Sequence, residues 1–346
     1  MGKERLYRID NIRFLLIFFV LFGHFLEQVP EASGLYRVIY SFHMPAFIFV
    51  TGYFAVYDRK KIFSNLIWPY FLFQSLYLVF EANVTEPSKL LEPQYMYPYW
   101  HLWYLLTIIC MELMIPLFET KDRGKQIVIL AISVAGALLA PFEPHLGYCM
   151  SSLRTISFLP FFLAGYYAGH GCGRLVLNER KKVRLRFVCG AGVLVSVLVT
   201  CFHDSFTKEV FFAVFSYSAD SYTPWIRLCV MFMAACWIGF LFLFIPNRKV
   251  RWISEIGKNT YPVFVLHGFV LALVRKYEII SWDFWSNIGF AFGISLLLLF
   301  LLGNRYVAAA FQRLFTGKWI ILLMKKLHLA VANSITVEVQ YENEKE

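Results

Sequence analysis

Long apolar runs separated by short polar segments repeat along the whole chain. Windows of about 17–25 apolar residues are long enough to cross a bilayer core of roughly 30 Å as helices. We predict ten such spans, at residues 12–29, 38–57, 62–80, 100–118, 127–142, 153–169, 187–203, 225–245, 260–274 and 286–304. The pattern therefore predicts an all-α, polytopic integral membrane protein with about ten transmembrane helices. A membrane β-barrel would instead show strands of about ten residues with alternating polarity.

Composition and charge agree with this class of protein. Hydrophobic residues make up 59% of the chain and charged residues only 16%. Few soluble domains have such a composition. Lys and Arg concentrate in alternate segments, at the N-terminus, in the C-terminal tail and at residues 58–61, 121–125, 174–186 and 247–251. By the positive-inside rule these segments, and with them both termini, are cytoplasmic. The net charge of +10 thus predicts orientation in a lipid bilayer and not a nucleic-acid partner.

The two ends of the chain differ from the spans between them. The first apolar run is too long for a secretory signal and lacks a small-residue cleavage site, so we predict a retained span. We predict a membrane domain over residues 1–305 and a cytoplasmic amphipathic helix with a disordered tail over residues 306–346. Residues 319–330 are the alternative candidate for a short extra hydrophobic helix. The seven cysteines lack metal-ligand or framework spacing, so we predict neither a metal site nor disulfides.

The first span carries titratable residues in the stretch "RIDNIRFLLIFFVLFGHFLEQV". Arg13 and His24 are eleven residues apart, so they share a helix face and lie about 16 Å apart along its axis. Asp10 is placed to orient Arg13, and Glu27 is placed to orient His24. Such groups are costly in hydrocarbon and usually mark function. The alternatives are an interfacial anchor for Arg13 and a polar bridge between helices for His24.

Later spans carry further candidates. His43 lies just inside the outer edge of the second span, and His267 lies near mid-membrane in the ninth. Glu112 lies within the fourth span and must be paired or protonated. Arg154 opens the sixth span at the outer side. An interfacial histidine is the alternative for His43, and a snorkelling anchor is the alternative for Arg154.

Two features favour binding of a ligand or a close neighbour. The predicted outer loops at residues 81–101 and 203–225 are long and aromatic, and rings beside polar groups suit a sugar. An interfacial aromatic belt explains the same residues. In the second span, Gly52 would let another helix or a ligand approach closely.

Five stretches occur together in one order: "IDNIRFLLIFFVLFGHF", "FHMPAFIFVTGYF", "LWYLL", "FLPFFLAGYYAG" and "GKNTYPVFVLHG". They resemble the acyltransferase-3 family, particularly its fucose 4-O-acetylase-like branch, over about residues 8–305. The resemblance implies transfer of an acyl group, usually acetyl, from cytoplasmic acyl-CoA to a sugar hydroxyl of a surface or secreted glycan. It places the protein in the cytoplasmic (inner) membrane of a bacterium. It also implies that His24 is catalytic and that Arg13 is its partner on the donor side.

Two positions depart from the family's pattern. Many relatives have an arginine pair at the start of the third span, where this chain has a basic run formed by Arg59, Lys60 and Lys61. Relatives with a tryptophan in the fourth span carry a glutamate five residues after it. Here Trp103 is followed at that distance by Ile108, and Glu112 lies one turn further on.

Acyl transfer needs a base, a stabilised oxyanion and two substrates held together. We predict His24, with Glu27, as the base for the acceptor hydroxyl, and an acyl-histidine intermediate stays open. His43 or His267 would donate to the oxyanion or steer the acceptor. Acetyl-CoA or another acyl-CoA is expected as the donor substrate, with no tightly bound cofactor, at a site formed by Asp10, Arg13, Arg59, Lys60 and Lys61. The glycan acceptor would meet Trp103, Glu112 and Arg154.

Other classes of protein fit part of the pattern. A multi-span transporter or glycan exporter would use the histidines as a proton relay and move no acyl group. Against it, the sequence shows no internal duplication and no matching pair of interrupted helices. A sensor or an inactive relative would tolerate replacement of His24. The sequence leaves open whether the protein forms a homo-oligomer.

Overall fold

The chain folds as a bundle of helices without β-strands in the part that the computed structural model describes, residues 6–84, 95–170, 178–203, 205–217 and 223–325. The prediction of an all-α protein is confirmed there. The helices are α1 (Tyr7–Leu26), α2 (Ser33–Tyr40), α3 (His43–Phe54), α4 (Arg59–Val84), α5 (Trp103–Leu113), α6 (Arg123–Leu139), α7 (Ser152–His170), α8 (Glu179–Phe202), α9 (Lys208–Phe212), α10 (Pro224–Phe244), α11 (Arg251–Lys258), α12 (Thr260–Lys276), α13 (Phe284–Leu302) and α14 (Arg305–Leu314). Residues 318–325 are helical as well.

Seven helical segments in the described ranges are long and apolar enough to cross a membrane: α1, α4, α6, α8, α10, α13 and the C-terminal segment Arg305–Lys325. The chain is therefore a multi-pass membrane protein. The predicted count of about ten spans is not confirmed. The predicted tail at residues 326–346 lies outside the described residues.

Two predicted spans are interrupted. The span predicted at residues 38–57 is split between α2 and α3, and Pro45 lies in the first turn of α3. Proline lacks an N–H and is tolerated in the first turn of a helix but not in its interior, so a new helix begins here. The span predicted at residues 100–118 begins with the 3₁₀ turn Trp100–Leu102 and ends early, because Pro116 starts a separate turn. Its central helix α5, at 1.5 Å per residue, is only about 17 Å long.

The segment after α13, Arg305–Lys325, is long and apolar enough to span a membrane. That it lies along the membrane surface stays a prediction. Its middle packs on the start of α4, where the backbone N–H of Gly317 donates to the carbonyl of Ser64 at 2.8 Å. Trp319 meets Trp68 edge to face, with ring centroids 5.7 Å apart. The apolar side chains of this segment thus have a helix to pack against as well as lipid.

α1 lies at the centre of the bundle. In its most apolar window 72% of the residues are buried, against 17–44% in the other six candidate spans. Helices α2, α3, α11, α12 and α13 surround it. This position explains how one membrane helix can carry Arg13 and His24, since both face protein and not hydrocarbon.

The first turns of α1 are held by the short helix α11. The Oδ1 of Asn11 accepts a hydrogen bond from the Ser254 hydroxyl at 2.7 Å, and its Nδ2 donates to the carbonyl of Arg248 at 3.1 Å. Gly257 lies so close to the backbone of Asp10 that a Cβ atom would meet the Asp10 carbonyl oxygen. The end of α1 that carries Arg13 is therefore fixed in depth and rotation.

Helices α3 and α7 pack backbone to backbone. A Cβ atom on Gly52 would meet the carbonyl oxygen of Phe162, and one on Gly165 would meet that of Phe49. Such backbone contact is typical of small residues at membrane helix interfaces. The prediction that Gly52 allows a close approach is confirmed. The packing fixes α3 and α7 relative to each other, and His43 and Arg154 lie near the opposite, N-terminal ends of these two helices.

Candidate active site

A small cavity lies at the end of α1 that carries His24. It encloses about 50 Å³, which is room for a few water molecules. Six structural elements meet around it: α1, the α2–α3 pair, the turn Trp100–Leu102 with α5, α7, α9 and α12. Polar and aromatic side chains dominate the wall, among them His24, Tyr40, His43, Trp100, His101, Trp103 and Arg154. Of the predicted site residues, His24, Glu27, His43, Trp103 and Arg154 are thus brought to one cavity.

His24 is held by Tyr40. Its Nδ1 lies 2.8 Å from the Tyr40 hydroxyl, and both side chains are buried. The imidazole also packs on Trp100, at 4.1 Å between ring centroids, and stacks on His267 at 5.5 Å. When Nδ1 carries the ring proton and donates it to Tyr40, Nε2 keeps the lone pair that a base needs.

His43 and His267 have their ring protons fixed by backbone carbonyls. The Nδ1 of His43 lies 2.8 Å from the Ile39 carbonyl, and that of His267 lies 2.7 Å from the Phe264 carbonyl. A carbonyl only accepts, so Nδ1 must be the protonated nitrogen in both rings. In the neutral form Nε2 is then an acceptor. The prediction that these residues donate to an oxyanion therefore requires a ring that carries both protons, while the neutral rings can accept a hydrogen bond from a hydroxyl.

Glu27 does not hold His24 as expected. Its carboxylate accepts from the guanidinium of Arg275 at 2.6 Å, and the partner of His24 is Tyr40. Glu27 still lines the cavity, at its rim. Arg275 also lies over the ring of Trp100, with 4.5 Å from its guanidinium carbon to the ring centroid.

Arg154 and Trp103 form a second polar wall. The Arg154 guanidinium lies 4.6 Å from the centroid of the Trp103 ring and donates through Nε to the carbonyl of Phe212 at 3.0 Å. The side chain is 91% buried, since its relative exposure is 9%. A buried arginine aimed along a cavity wall is no lipid-facing anchor, and it brings positive charge to the site.

Glu112 is not at this cavity. It lies nine residues after Trp103 on α5, hence about 14 Å further along that helix. Because α5 leaves the cavity at Trp103, Glu112 lies towards the level of Arg13. The expectation that it binds the acceptor beside Trp103 is therefore not supported by its position.

Arg13 marks the opposite end of the same helix face. Its guanidinium donates to the Thr260 hydroxyl at 3.0 Å, at the start of α12. About two turns further along α12, His267 stacks on His24. The two helices thus run parallel, and the shared face predicted for Arg13 and His24 is matched by a second face on α12. Asp10 lies one turn before Arg13, where α11 packs.

The basic run begins α4 and is exposed. It lies on the same side of the protein as Arg13, because α3 begins at the cavity with His43 and ends on the other side. Asp58 caps α4, and the backbone N–H of Lys61 chiefly, with that of Lys60, holds the pKa of its carboxyl below the usual value. The carboxylate of Asp58 therefore stays ionised beside the basic run.

Sequence reasoning missed four residues of the site: Tyr40, Trp100, His101 and Arg275. Trp100 and His101 lie in the same stretch as Trp103, "YWHLWYLL". Their position at the edge of a predicted span could have marked them as site residues. Tyr40 and Arg275 gave none, because a tyrosine and an arginine at a membrane edge are ordinary.

We predict that Tyr40→Phe lowers the turnover of the protein about tenfold. The substitution keeps the ring and removes the hydroxyl, so His24 loses one hydrogen bond worth about 0.5–1.5 kcal/mol and with it its fixed orientation. The half-saturating donor concentration should not change, because Tyr40 is remote from Arg13. Steady-state kinetics of Y40F would check this, and an unchanged kcat would show that Tyr40 does not position His24.

Comparison with known proteins agrees with this geometry. The family model described as an acyltransferase domain, acyltransferase 3, matches residues 6–304, which is most of the chain. The chain therefore belongs to the acyltransferase-3 family. It is a multi-pass membrane acyltransferase that transfers groups other than amino-acyl groups. No curated protein and no solved structure gives a significant match.

Proposed function

We propose that the protein is an O-acyltransferase that moves an acetyl group from cytoplasmic acyl-CoA to a sugar hydroxyl of a surface or secreted glycan. The membrane would be the cytoplasmic membrane of a bacterium. The observation that carries the proposal is the buried His24, held through Nδ1 by Tyr40 in a cavity lined by hydroxyl-binding and aromatic groups.

In this proposal His24 is the general base. Its Nε2 takes the proton of the acceptor hydroxyl while the hydroxyl oxygen attacks the thioester carbonyl. A C–O bond forms, the C–S bond breaks, and the CoA thiolate leaves with the proton that His24 received. The Arg154 guanidinium stabilises the negative charge that develops on the carbonyl oxygen. His43 and His267 accept hydrogen bonds from neighbouring hydroxyls and so orient the acceptor.

The donor would approach from the Arg13 side. Charge-assisted hydrogen bonds from arginine and lysine suit phosphate groups, and this side carries Arg13 and the basic run. The face that leads from Arg13 to His24 is about 16 Å long, so the phosphates and the thioester would bind at its two ends. The positive-inside rule supports a cytoplasmic location for this side, where acyl-CoA is found.

We expect Arg13→Ala to weaken binding of acetyl-CoA by about tenfold or more. A hydrogen bond to a charged group is worth about 1.5–3 kcal/mol, and 1.4 kcal/mol is tenfold in an equilibrium constant. Titration calorimetry of the purified protein in nanodiscs measures this. Lys249→Ala is the matched control. Lys249 is an exposed cation in the loop whose Arg248 carbonyl accepts a hydrogen bond from α1. Absence of acetyl-CoA binding by folded wild-type protein would contradict the proposed function and favour a transporter.

A further inference from the structure

A second, larger cavity adjoins the first one at the same end of the bundle. We call it the outer cavity; it encloses about 300 Å³ between the end of α4, the residues before α5 and the last turns of α12. Its polar wall is formed by Glu81, Tyr99, Arg275 and Lys276, and its apolar floor by Leu271 and Ala272. None of the sequence-predicted site residues lines it.

Trp100 belongs to both cavities. On one side its ring packs on His24 at 4.1 Å, and on the other it lies under the guanidinium of Arg275 at 4.5 Å. Arg275 lines the outer cavity, and its partner Glu27 lines the inner one. A single indole ring, held by the Glu27–Arg275 ion pair, therefore separates the outer cavity from His24.

The two cavities differ in size, so different parts of a substrate fit into them. The inner cavity has room for only a few water molecules, so a hydroxyl fits there but a sugar ring does not. The outer cavity is at the lower end of the range of about 300–1,000 Å³ in which proteins bind small molecules.

The lining of the outer cavity fits a sugar better than a lipid chain. Carboxylate and cationic groups offer hydrogen bonds to hydroxyls, while Tyr99 and Leu271 offer surface to the CH faces of a ring. A hydrocarbon chain would use none of these hydrogen-bonding groups.

We propose that the outer cavity is the subsite that binds the acceptor sugar ring, and that the ring presents its hydroxyl to His24 past the edge of Trp100. This inference rests on the proposed function and specifies it. It assigns acceptor binding to α4 and α12, with Trp100 as the wall that must shift when the hydroxyl enters.

The test narrows the outer cavity without touching the inner one. Ala272→Phe places a ring in the floor of the outer cavity, and Leu273→Phe adds the same ring at the next, exposed position of α12. Membranes are prepared from source cells that lack the gene and carry either variant or the wild type, so that the native glycan is present. The probe is [¹⁴C]acetyl-CoA, and the readout is base-labile label in the glycan fraction.

We expect Ala272→Phe to reduce incorporation by about tenfold to a hundredfold, since displacement of a substrate by about 1 Å can cost a hundredfold. Leu273→Phe should incorporate like the wild type, and purified A272F should bind acetyl-CoA like the wild type. Full incorporation by A272F would overturn the inference and leave the proposed function intact. No incorporation by wild type above the gene-deleted cells would overturn both. If A272F also loses acetyl-CoA binding, the same incorporation assay is made with Glu81→Gln. Loss of incorporation by this variant would support the acceptor subsite, and full incorporation would refute it.

Discussion

Replacement of His24 by glutamine should reduce acyl transfer by about 10²–10⁴-fold, the range that a positioned general base contributes. Glutamine is polar and fills much of the same space, so it can still meet the Tyr40 hydroxyl. It has no lone pair of comparable basicity with which to take the proton of the acceptor. The protein should therefore stay folded and bind acetyl-CoA as before.

The measurement is single-turnover transfer from [¹⁴C]acetyl-CoA, with gel filtration and thermal unfolding of the same samples. His170→Gln is the matched control, because His170 is an exposed histidine at the far end of α7. Label that stays on the wild-type protein after removal of the donor would indicate an acyl-histidine intermediate in place of direct transfer. Full activity of H24Q would exclude His24 as the base.

Replacement of Gly165 by leucine should destabilise the protein by at least about 3 kcal/mol, at the upper end of the usual cost of overpacking. A Cβ atom there would meet the carbonyl oxygen of Phe49, and Gly52 faces the backbone of Phe162 in the same way. Backbone atoms cannot move aside as the end of a flexible side chain can. α3 and α7 would have to separate, and the cavity would lose the placement of His43 and Arg154 with them.

The control for this substitution is Gly190→Leu. Gly190 lies on α8, and no heavy atom outside its own local helix lies within 4 Å of the position that its Cβ would occupy. Thermal unfolding in detergent should show a lowered midpoint for G165L and a midpoint near that of the wild type for G190L. Equal stability of the two variants would mean that α3 and α7 do not touch through their backbones.

Local features of the site were predictable from the sequence, because a helix repeats with a fixed period. Arg13 and His24 share a face of α1 as their spacing requires, and each meets α12. The close approach at Gly52 followed from the absence of a side chain. In both cases the determining property belongs to one short segment.

The partners of these residues were not predictable, because they come from distant parts of the chain. Glu27 lies three residues after His24, which made a local pair the natural expectation, yet its partner is Arg275, 248 positions away. Tyr40 reaches His24 only because α2 ends before Pro45 begins a new helix. A hydropathy average over a window does not detect that break. It does not detect the interruption at Pro116 either.

Contacts at three levels join α1 to α12: Arg13 with Thr260, His24 with His267, and Glu27 with Arg275. We expect two parallel helices linked in this way to move together, so that the base and the donor-side arginine keep their separation during a catalytic cycle. Opening of the buried cavity must then come from its other walls. Since α3 is packed backbone to backbone on α7, the short helix α2 and the turn Trp100–Leu102 are the candidates for movement. The stationary and the moving parts of the enzyme then belong to different segments of the chain.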